Sequence, residues 1–355
     1  MDIFAQFRGH EQIVVGNDDE TGLRSIIAIH STALGPGLGG TRFYPYASTE
    51  DALADVLRLS RAMSYKAACA GLDLGGGKAV IIGDPATDRS EALLRAYGRQ
   101  IESLNGRYIT ACDVGTYPRD MELISRETRW ATGLPAEHGG AGDSGILTAY
   151  GVYVSMKACA QRRWGTPSLA GHHVAVQGLG KVGRRLVEHL LDDGAKVTAT
   201  DVNPDAMAAA AEHGVDTVAP DEIFAVDADI LSPNALGGIL DETVIANLEV
   251  EVVCGGANNQ LATDEDDNRL NERGILYAPD YVVNAGGLIT VSDELHPGGH
   301  DEARARAKTA HIGDTLLEIF HEADTGKVTT NEAAELVAER RMAAVGGLRR
   351  TWLPG

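Results

Sequence analysis

The chain has 355 residues, 44% of them hydrophobic and 23% charged, which is long enough for two domains with full cores and excludes a disordered or fibrous chain. A formal net charge of -20 repels phosphate backbones and anionic lipid surfaces, so neither nucleic acid nor membrane is expected as a partner. No apolar stretch is long enough to span a bilayer.

The first residues, Met1-Asp2-Ile3-Phe4-Ala5-Gln6-Phe7-Arg8, lack a basic segment followed by a long apolar run. They do not read as a secretory signal, and a cytoplasmic location is expected. Ser25–His30 reads as a strand, followed by a Gly-Pro-rich turn from Gly35 to Gly40. Ser48 with Asp51 resembles a capping box, and Leu53, Val56, Leu57 and Met63 recur at helical spacing to an end near Lys66. Ala79–Ile82 reads as a short buried strand, 90–104 as a helix and Tyr108–Cys112 as the next strand. The glycine-rich stretch Gly133–Gly145 reads as a hinge between domains, and a helix follows from Ile146 to Arg163.

From His173 the pattern becomes a βα repeat. Strands are predicted at 174–176, 196–200, 229–231, 251–254 and 275–277. A helix over Lys181–Leu191 is closed by Gly194, and Pro204 opens the next one. Such alternation implies a parallel sheet covered on both faces. The tail is helical over 301–323 and 331–344 and is expected to fold back on the first domain. The expected architecture is α/β: an N-terminal domain over 1–137 with a mixed sheet, a Rossmann-type domain over 138–324, and a C-terminal segment 325–355 returning to the first.

Gly178-Leu179-Gly180-Lys181-Val182-Gly183 matches G-x-G-x-x-G after a strand and before a helix, and Asp201 ends the next strand 18 residues past Gly183. In that context the motif is a dinucleotide fingerprint. Gly178 allows the tight turn, Gly180 lets the backbone approach a pyrophosphate, and Gly183 lets helix pack on strand. Asp201 can accept from ribose hydroxyls and repels a 2′-phosphate, which points to NAD over NADP.

Gly75-Gly76-Gly77-Lys78 invites a phosphate-loop reading and fails it. Leu72 stands where the motif opens with glycine, and Ala79 replaces the magnesium-binding hydroxyl. Arginine outnumbers lysine 24 to 7 in this chain, yet Lys66 and Lys78 fall close together. Two ammonium groups sharing a cleft depress at least one pKa, and a lysine lowered towards neutrality can act as a general base. The alternative at this point is two surface lysines. Asp113, after a strand end, could face such a pair and accept an amine, or could simply form an Asx turn before Gly115. Asn258 and Asn259, and Asn284, also follow strand ends, where an α/β sheet binds its ligand; turn chemistry is their alternative. His138, His172 and His173 have no carboxylate or cysteine at ligand spacing and read as structural. Cys69, Cys112, Cys159 and Cys254 contain no C-x-x-C pair, so no metal site is expected and each thiol is expected to be free.

These residues together resemble a known family. Leu38-Gly39-Gly40-Thr41-Arg42, Met63-Ser64-Tyr65-Lys66, Gly75-Gly76-Gly77-Lys78, Asp113-Val114-Gly115-Thr116, Gly139-Gly140-Ala141-Gly142, the Gly178 fingerprint, Ala257-Asn258-Asn259-Gln260 and the run Ile275–Gly287 follow in order. The chain is similar to the leucine, valine and phenylalanine dehydrogenases of the glutamate dehydrogenase superfamily, with the actinobacterial valine dehydrogenases the nearest likeness. The resemblance implies NAD-dependent oxidative deamination of an apolar L-amino acid to a 2-oxo acid and ammonia, the reverse amination, and a homo-oligomer. It implies that Gly40 and Lys66 hold the substrate carboxylate, Lys78 activates water and Asp113 shuttles protons to the amine. Asn258 would orient substrate and nicotinamide, with Ser144, Thr148, Asn234 and Asn284 on the cofactor side. Leu38, Ala111, Leu288 and Val291 would line the side-chain pocket. Leu288 is larger than the Val or Ala of many relatives and favours valine or leucine over phenylalanine, the alternative substrate. Two departures stand near the cofactor: Asn234 where relatives usually have Cys, and Gly256 where Ala is usual.

Overall fold

The structure is a computed structural model that describes Phe7 and residues 9–347. The tail of the predicted C-terminal segment beyond 347 lies outside the described residues. The chain divides into two compact units. One comprises the chain up to Gly142, Thr290–Glu302 and the chain from Ala338; the other comprises Asp143–Ile289 and Ala303–Val337.

The first unit holds β1 (Gln12–Asp18), β2 (Leu23–Ser31), β3 (Gly37–Tyr44), α1 (Thr49–Cys69), β4 (Gly75–Ile82), α2 (Glu91–Glu102), β5 (Tyr108–Cys112) and α3 (Pro118–Ser125). Its sheet has the order β1-β2-β4-β3-β5, antiparallel from β1 to β4 and parallel from β4 to β5. Ser48 caps α1 as its spacing predicts, accepting from Asp51 N at 3.0 Å. On one side of the sheet Ile27, Ile29, Ile81, Leu94, Tyr97, Ile101, Tyr108 and Ile124 form a closed core; Leu53, Val56 and Leu57 of α1 pack with Ile26, Ala28 and Val80 on the other.

Two expectations here need correction. Residues 37–40, read as part of a turn, open β3, and 75–77 extend β4 towards its N-terminus. The reason is close packing. A Cβ on Gly39 would overlap the carbonyl of Gly77, one on Gly75 the carbonyl of Ser31, and one on Gly76 the Ser64 hydroxyl of α1. Glycine here lets strands and helix meet without side chains between them.

The second unit begins with α4 (Gly145–Trp164) and continues through β6 (His173–Gln177), α5 (Gly183–Asp192), β7 (Lys196–Thr200), α6 (Pro204–Glu212), β8 (Asp216–Thr217), β9 (Ile230–Pro233), α7 (Glu242–Asn247), β10 (Val252–Val253), α8 (Glu265–Glu272) and β11 (Leu276–Tyr277). After α9 (Asp280–Val283), α10 (Gly286–Asp293) runs across the boundary; α11 (Glu302–Gly326) and α12 (Thr330–Gly346) follow. The sheet order is β11-β10-β9-β6-β7-β8, with every pairing parallel. That is the doubly wound dinucleotide-binding order, whose direction reverses between β6 and β9. The end of α12 belongs to the first unit: Tyr65 donates to Glu339 at 2.8 Å, and Arg341 donates to Leu72 O at 2.6 Å and pairs with Asp73 at 2.8 Å.

Candidate functional site

In the first unit the parallel strands β3, β4 and β5 bring together residues far apart in sequence. Lys78, on β4, is 6% exposed and sets its Nζ 2.8 Å from Asp113 Oδ2, just past β5. Arg42 of β3 adds its Nε at 3.2 Å from the same oxygen. Arg42 is itself held by Asp55 of α1 at 2.8 Å, and Asp55 also accepts from Tyr46 at 2.7 Å and Arg58 at 2.9 Å. Burial pushes the Asp113 carboxyl up, but the cations of Lys78 and then Arg42, with the Lys78 hydrogen bond, outweigh it and hold it below the ordinary carboxylate range. The Asx-turn alternative for Asp113 falls away, since its side chain faces cations and the turn is closed by Thr116 N donating to Asp113 O at 3.0 Å.

Gly40 pairs with Ala111 across β3 and β5. A Cβ there would come within 2.9 Å of Asp113 Cβ, so only glycine leaves the carboxylate its place. Leu38, which pairs with Ile109 of β5, and Ala111 two residues further along that strand are both buried. Lys66 is half-buried in the last turn of α1, the helix that packs on the Gly76 backbone. Leu288 is buried and Val291 half-buried; three residues apart, they share a face of α10.

Arg42, Asp55 and Tyr46 carried no assigned role in the sequence. Arg42 lies inside a quoted motif, but the signal that links it to Asp113 is strand pairing, which spacing does not reveal. Glu294 was also missed. It accepts from Gly133 N and from Ala141 N, each at 2.8 Å, and so ties the start of the glycine stretch read as a hinge to a point four residues before its end.

In the second unit Gly178–Gly183 leads from the end of β6 into α5, at the reversal of strand order. Gly178 has φ +93°, a conformation that disfavours other residues. A Cβ on Gly183 would overlap the carbonyl of Gly178, whereas one on Gly180 meets nothing within 4 Å. The turn therefore packs tightly at both ends and is open at Gly180, exposed like Lys181 beside it. This fits a pyrophosphate approaching backbone N–H groups at a helix N-terminus. Asp201 ends the next strand as the fingerprint requires; its Oδ2 accepts from Leu179 N at 2.6 Å and its Oδ1 from Asn203 N at 2.8 Å.

The other cofactor-side residues gather around this turn. Ser144 stands at the start of α4, where Thr148 donates to its carbonyl at 2.9 Å. A Cβ on Gly287 would lie 3.0 Å from Thr148 Oγ1, and one on Gly145 lies 3.2 Å from Lys181 Cβ. Asn284 donates to Asn258 Oδ1 at 2.7 Å. Asn234 follows β9 directly and accepts from Gly256 N at 2.9 Å, with Val182 beside that glycine. Among the described residues no group of three or more His, Cys, Asp or Glu is placed to hold a metal ion. The four cysteines are free, and burial pushes the Cys112 thiol, next to Asp113, up to about 12.

Comparison with known proteins agrees with this geometry. Residues 10–130 match the family model "Glu/Leu/Phe/Val dehydrogenase, dimerisation domain", and 139–204 and 200–349 match "Glutamate/Leucine/Phenylalanine/Valine dehydrogenase". The valine dehydrogenase of Streptomyces coelicolor is 55% identical over 339 residues, covering 94% of this chain and 93% of the relative. The leucine dehydrogenase of Geobacillus stearothermophilus is 48% identical over 345 residues, covering 97% and 94%. The crystal structure of L-tryptophan dehydrogenase from Nostoc punctiforme superposes with a TM-score of 0.88 at 43% identity, covering 97% of this chain and 99% of that one. The chain belongs to the glutamate/leucine/phenylalanine/valine dehydrogenase family, oxidoreductases acting on the CH–NH2 group of amino acids.

Proposed function

We propose that this enzyme is an NAD-dependent dehydrogenase of a branched-chain or small apolar L-amino acid, valine or leucine in type, which it converts reversibly to the 2-oxo acid and ammonia. The observation that carries this reading is the buried Lys78–Asp113 pair at 2.8 Å. The pair places an amine able to take a proton next to a carboxylate able to pass one on.

When bound to the second unit, the nicotinamide cofactor supplies the acceptor for the substrate Cα hydride. The remaining chemistry is assigned to side chains. Gly40 N–H and the Lys66 ammonium bind the substrate carboxylate. Asp113 takes a proton from the substrate ammonium, leaving the neutral amine from whose Cα the hydride departs. Lys78, as the free amine, takes a proton from the water that adds to the imine carbon. The protonated Asp113 then returns that proton to the carbinolamine nitrogen, and as the hydroxyl proton passes back to Asp113 the C–N bond breaks, leaving the 2-oxo acid and ammonia. Arg42 anchors the Asp113 carboxyl and favours its charged form between proton transfers. Leu38, Ala111, Leu288 and Val291 carry no charge, which suits an apolar side chain and leaves an acidic one unpaired. Asn258 and Asn284 orient the nicotinamide end, Ser144 and Thr148 flank it, and the backbone of Gly178–Gly183 holds the phosphates, with Asn234 on the cofactor side behind Gly256. Asp201 selects NAD by repelling a 2′-phosphate.

We also infer a homo-oligomer, since residues 10–130 match a family model described as a dimerisation domain. A reducing cytoplasm suits its four free thiols. One panel tests the reading: L-valine, L-leucine, L-isoleucine, L-2-aminobutyrate and L-phenylalanine with NAD or NADP, followed by reduced-cofactor absorbance. Fastest turnover with a branched-chain substrate and NAD, and an absolute need for ammonium in the reverse direction, are expected. Turnover of a hydroxy acid without ammonium would overturn the reading.

A further inference from the structure

Asn234 and Gly256 form one feature. The Asn234 side-chain oxygen accepts from Gly256 N at 2.9 Å, and that contact fixes which end of the amide is oxygen, because the backbone group can only donate. The amide nitrogen is held in turn by Ser232, at 3.0 Å to the carbonyl and 2.9 Å to the hydroxyl. Asn234 thus stands in a fixed orientation at the end of β9, one residue past the strand. Its own backbone N–H donates to Gln177 O at 2.7 Å, and a Cβ on Gly178 would lie 3.1 Å from its carbonyl carbon. It therefore touches the cofactor turn on one side and Gly256 on the other.

Gly256 is gripped from both faces. While Asn234 holds its N–H, Asn284 donates to its carbonyl at 3.2 Å. The same Asn284 nitrogen lies 2.7 Å from Oδ1 of Asn258, two residues on and exposed. A methyl group at 256 would lie 2.9 Å from Asn234 Oδ1 and 3.1 Å from Val152 Cγ2 and Val182 Cγ1. Glycine at 256 is therefore what allows asparagine at 234, and the pair stands or falls together.

We infer that Asn234 is a positioning residue that couples the Gly178 turn to Asn258. It sets where the nicotinamide-facing asparagine sits by fixing the Gly256 peptide. This rests on the dinucleotide reading above. It predicts that the pair governs affinity for the nicotinamide end of the cofactor and leaves the adenosine-diphosphate end alone.

ADP-ribose separates the two, because it keeps the diphosphate and both riboses but lacks nicotinamide. Binding of NADH by fluorescence and of ADP-ribose by calorimetry would be measured in the unaltered protein, Asn234→Ala, Gly256→Ala and the double variant, with melting temperatures alongside. Losing one such hydrogen bond should weaken NADH about three- to tenfold in each single variant, with ADP-ribose changed less than about twofold. In the Asn234→Ala background the nearest atom the methyl meets is gone and only Val152 and Val182 at 3.1 Å remain, so Gly256→Ala should cost less there than in the unaltered protein, a coupling that separate sites would not show. Ser232→Ala, which frees the Asn234 amide without removing it, should give a smaller loss of the same NADH-only kind and serves if Asn234→Ala does not fold. Equal weakening of NADH and ADP-ribose, additive losses in the double variant, or unchanged NADH affinity would each overturn the inference. If the unaltered protein binds neither ligand, the dinucleotide reading itself fails and takes the inference with it.

Discussion

In the first unit, two cations converge on one carboxylate oxygen, Lys78 at 2.8 Å and Arg42 at 3.2 Å, with a second carboxylate behind. In the second unit three of the six residues at Gly178–Gly183 are glycine; what matters there is where a Cβ fits and where it does not. On the proposed function, one region would work by charges held in place by strands and the other by exposed backbone and a helix terminus. Reaction chemistry needs groups that exchange protons, and these must be rigid and desolvated to be effective. Binding a diphosphate needs close approach and N–H groups, which glycine supplies.

The difference predicts how each region breaks. The largest effect on cofactor binding should come from the turn. Gly183→Ala forces a Cβ onto the Gly178 carbonyl, so NADH affinity should fall at least about 100-fold while Lys78 and Asp113 are untouched. Equilibrium binding measures it, and near-normal affinity would remove the packing role of that glycine.

A second effect concerns pH, and it falls on the first unit, where buried ionisable groups are concentrated. His30 is buried against His10 and Ser64, its Nδ1 2.8 Å from Ser64 Oγ, and burial, with His10 and Arg61 nearby, pushes its pKa from 6.5 down to about 4. The unfolded chain takes up a proton below pH 6.5 that the folded chain refuses, so stability present at neutral pH is lost as pH falls from 6.5 to 4. The shift corresponds to about 3 kcal/mol over that window. Urea unfolding at several pH values should show this loss, and His30→Gln should flatten it. An equally steep slope in the variant would assign the effect elsewhere.

The cluster around Asp113 should give a smaller, catalytic effect. Arg42→Gln removes one of the two cations that offset burial, so the Asp113 carboxyl rises. The acid limb of the kcat/KM profile should move to higher pH, with the neutral-pH plateau changing far less than the limb. An unmoved limb would mean Arg42 only packs. The smallest effect should be at Asp201. Asp201→Ala should narrow the preference for NAD over NADP by about 1 kcal/mol, read as the ratio of the two kcat/KM values.

The same contrast explains what could be read from the sequence. The fingerprint is local. Gly178, Gly180, Gly183 and Asp201 lie within one βαβ unit, so their spacing carried the fold of that unit. Lys78 and Asp113 could be singled out by residue type and strand ends. Their meeting depends on the β3, β4 and β5 pairing, and Arg42, 71 residues from Asp113, was invisible without it. The glycines at 37–40 and 75–77 misled because turn and strand use the same residue for different reasons: one needs unusual φ, the other needs an absent Cβ. The short strands β8, β10 and β11 have two residues each, too few for period-2 alternation to mark their ends.

The division between charge in one unit and backbone in the other is tested most directly by Lys78→Ala, with NADH affinity and turnover measured on the same preparation. The account predicts turnover down by at least about 1,000-fold with NADH affinity within about twofold of the unaltered enzyme. Turnover that survives the substitution, or affinity that falls with it, would contradict it.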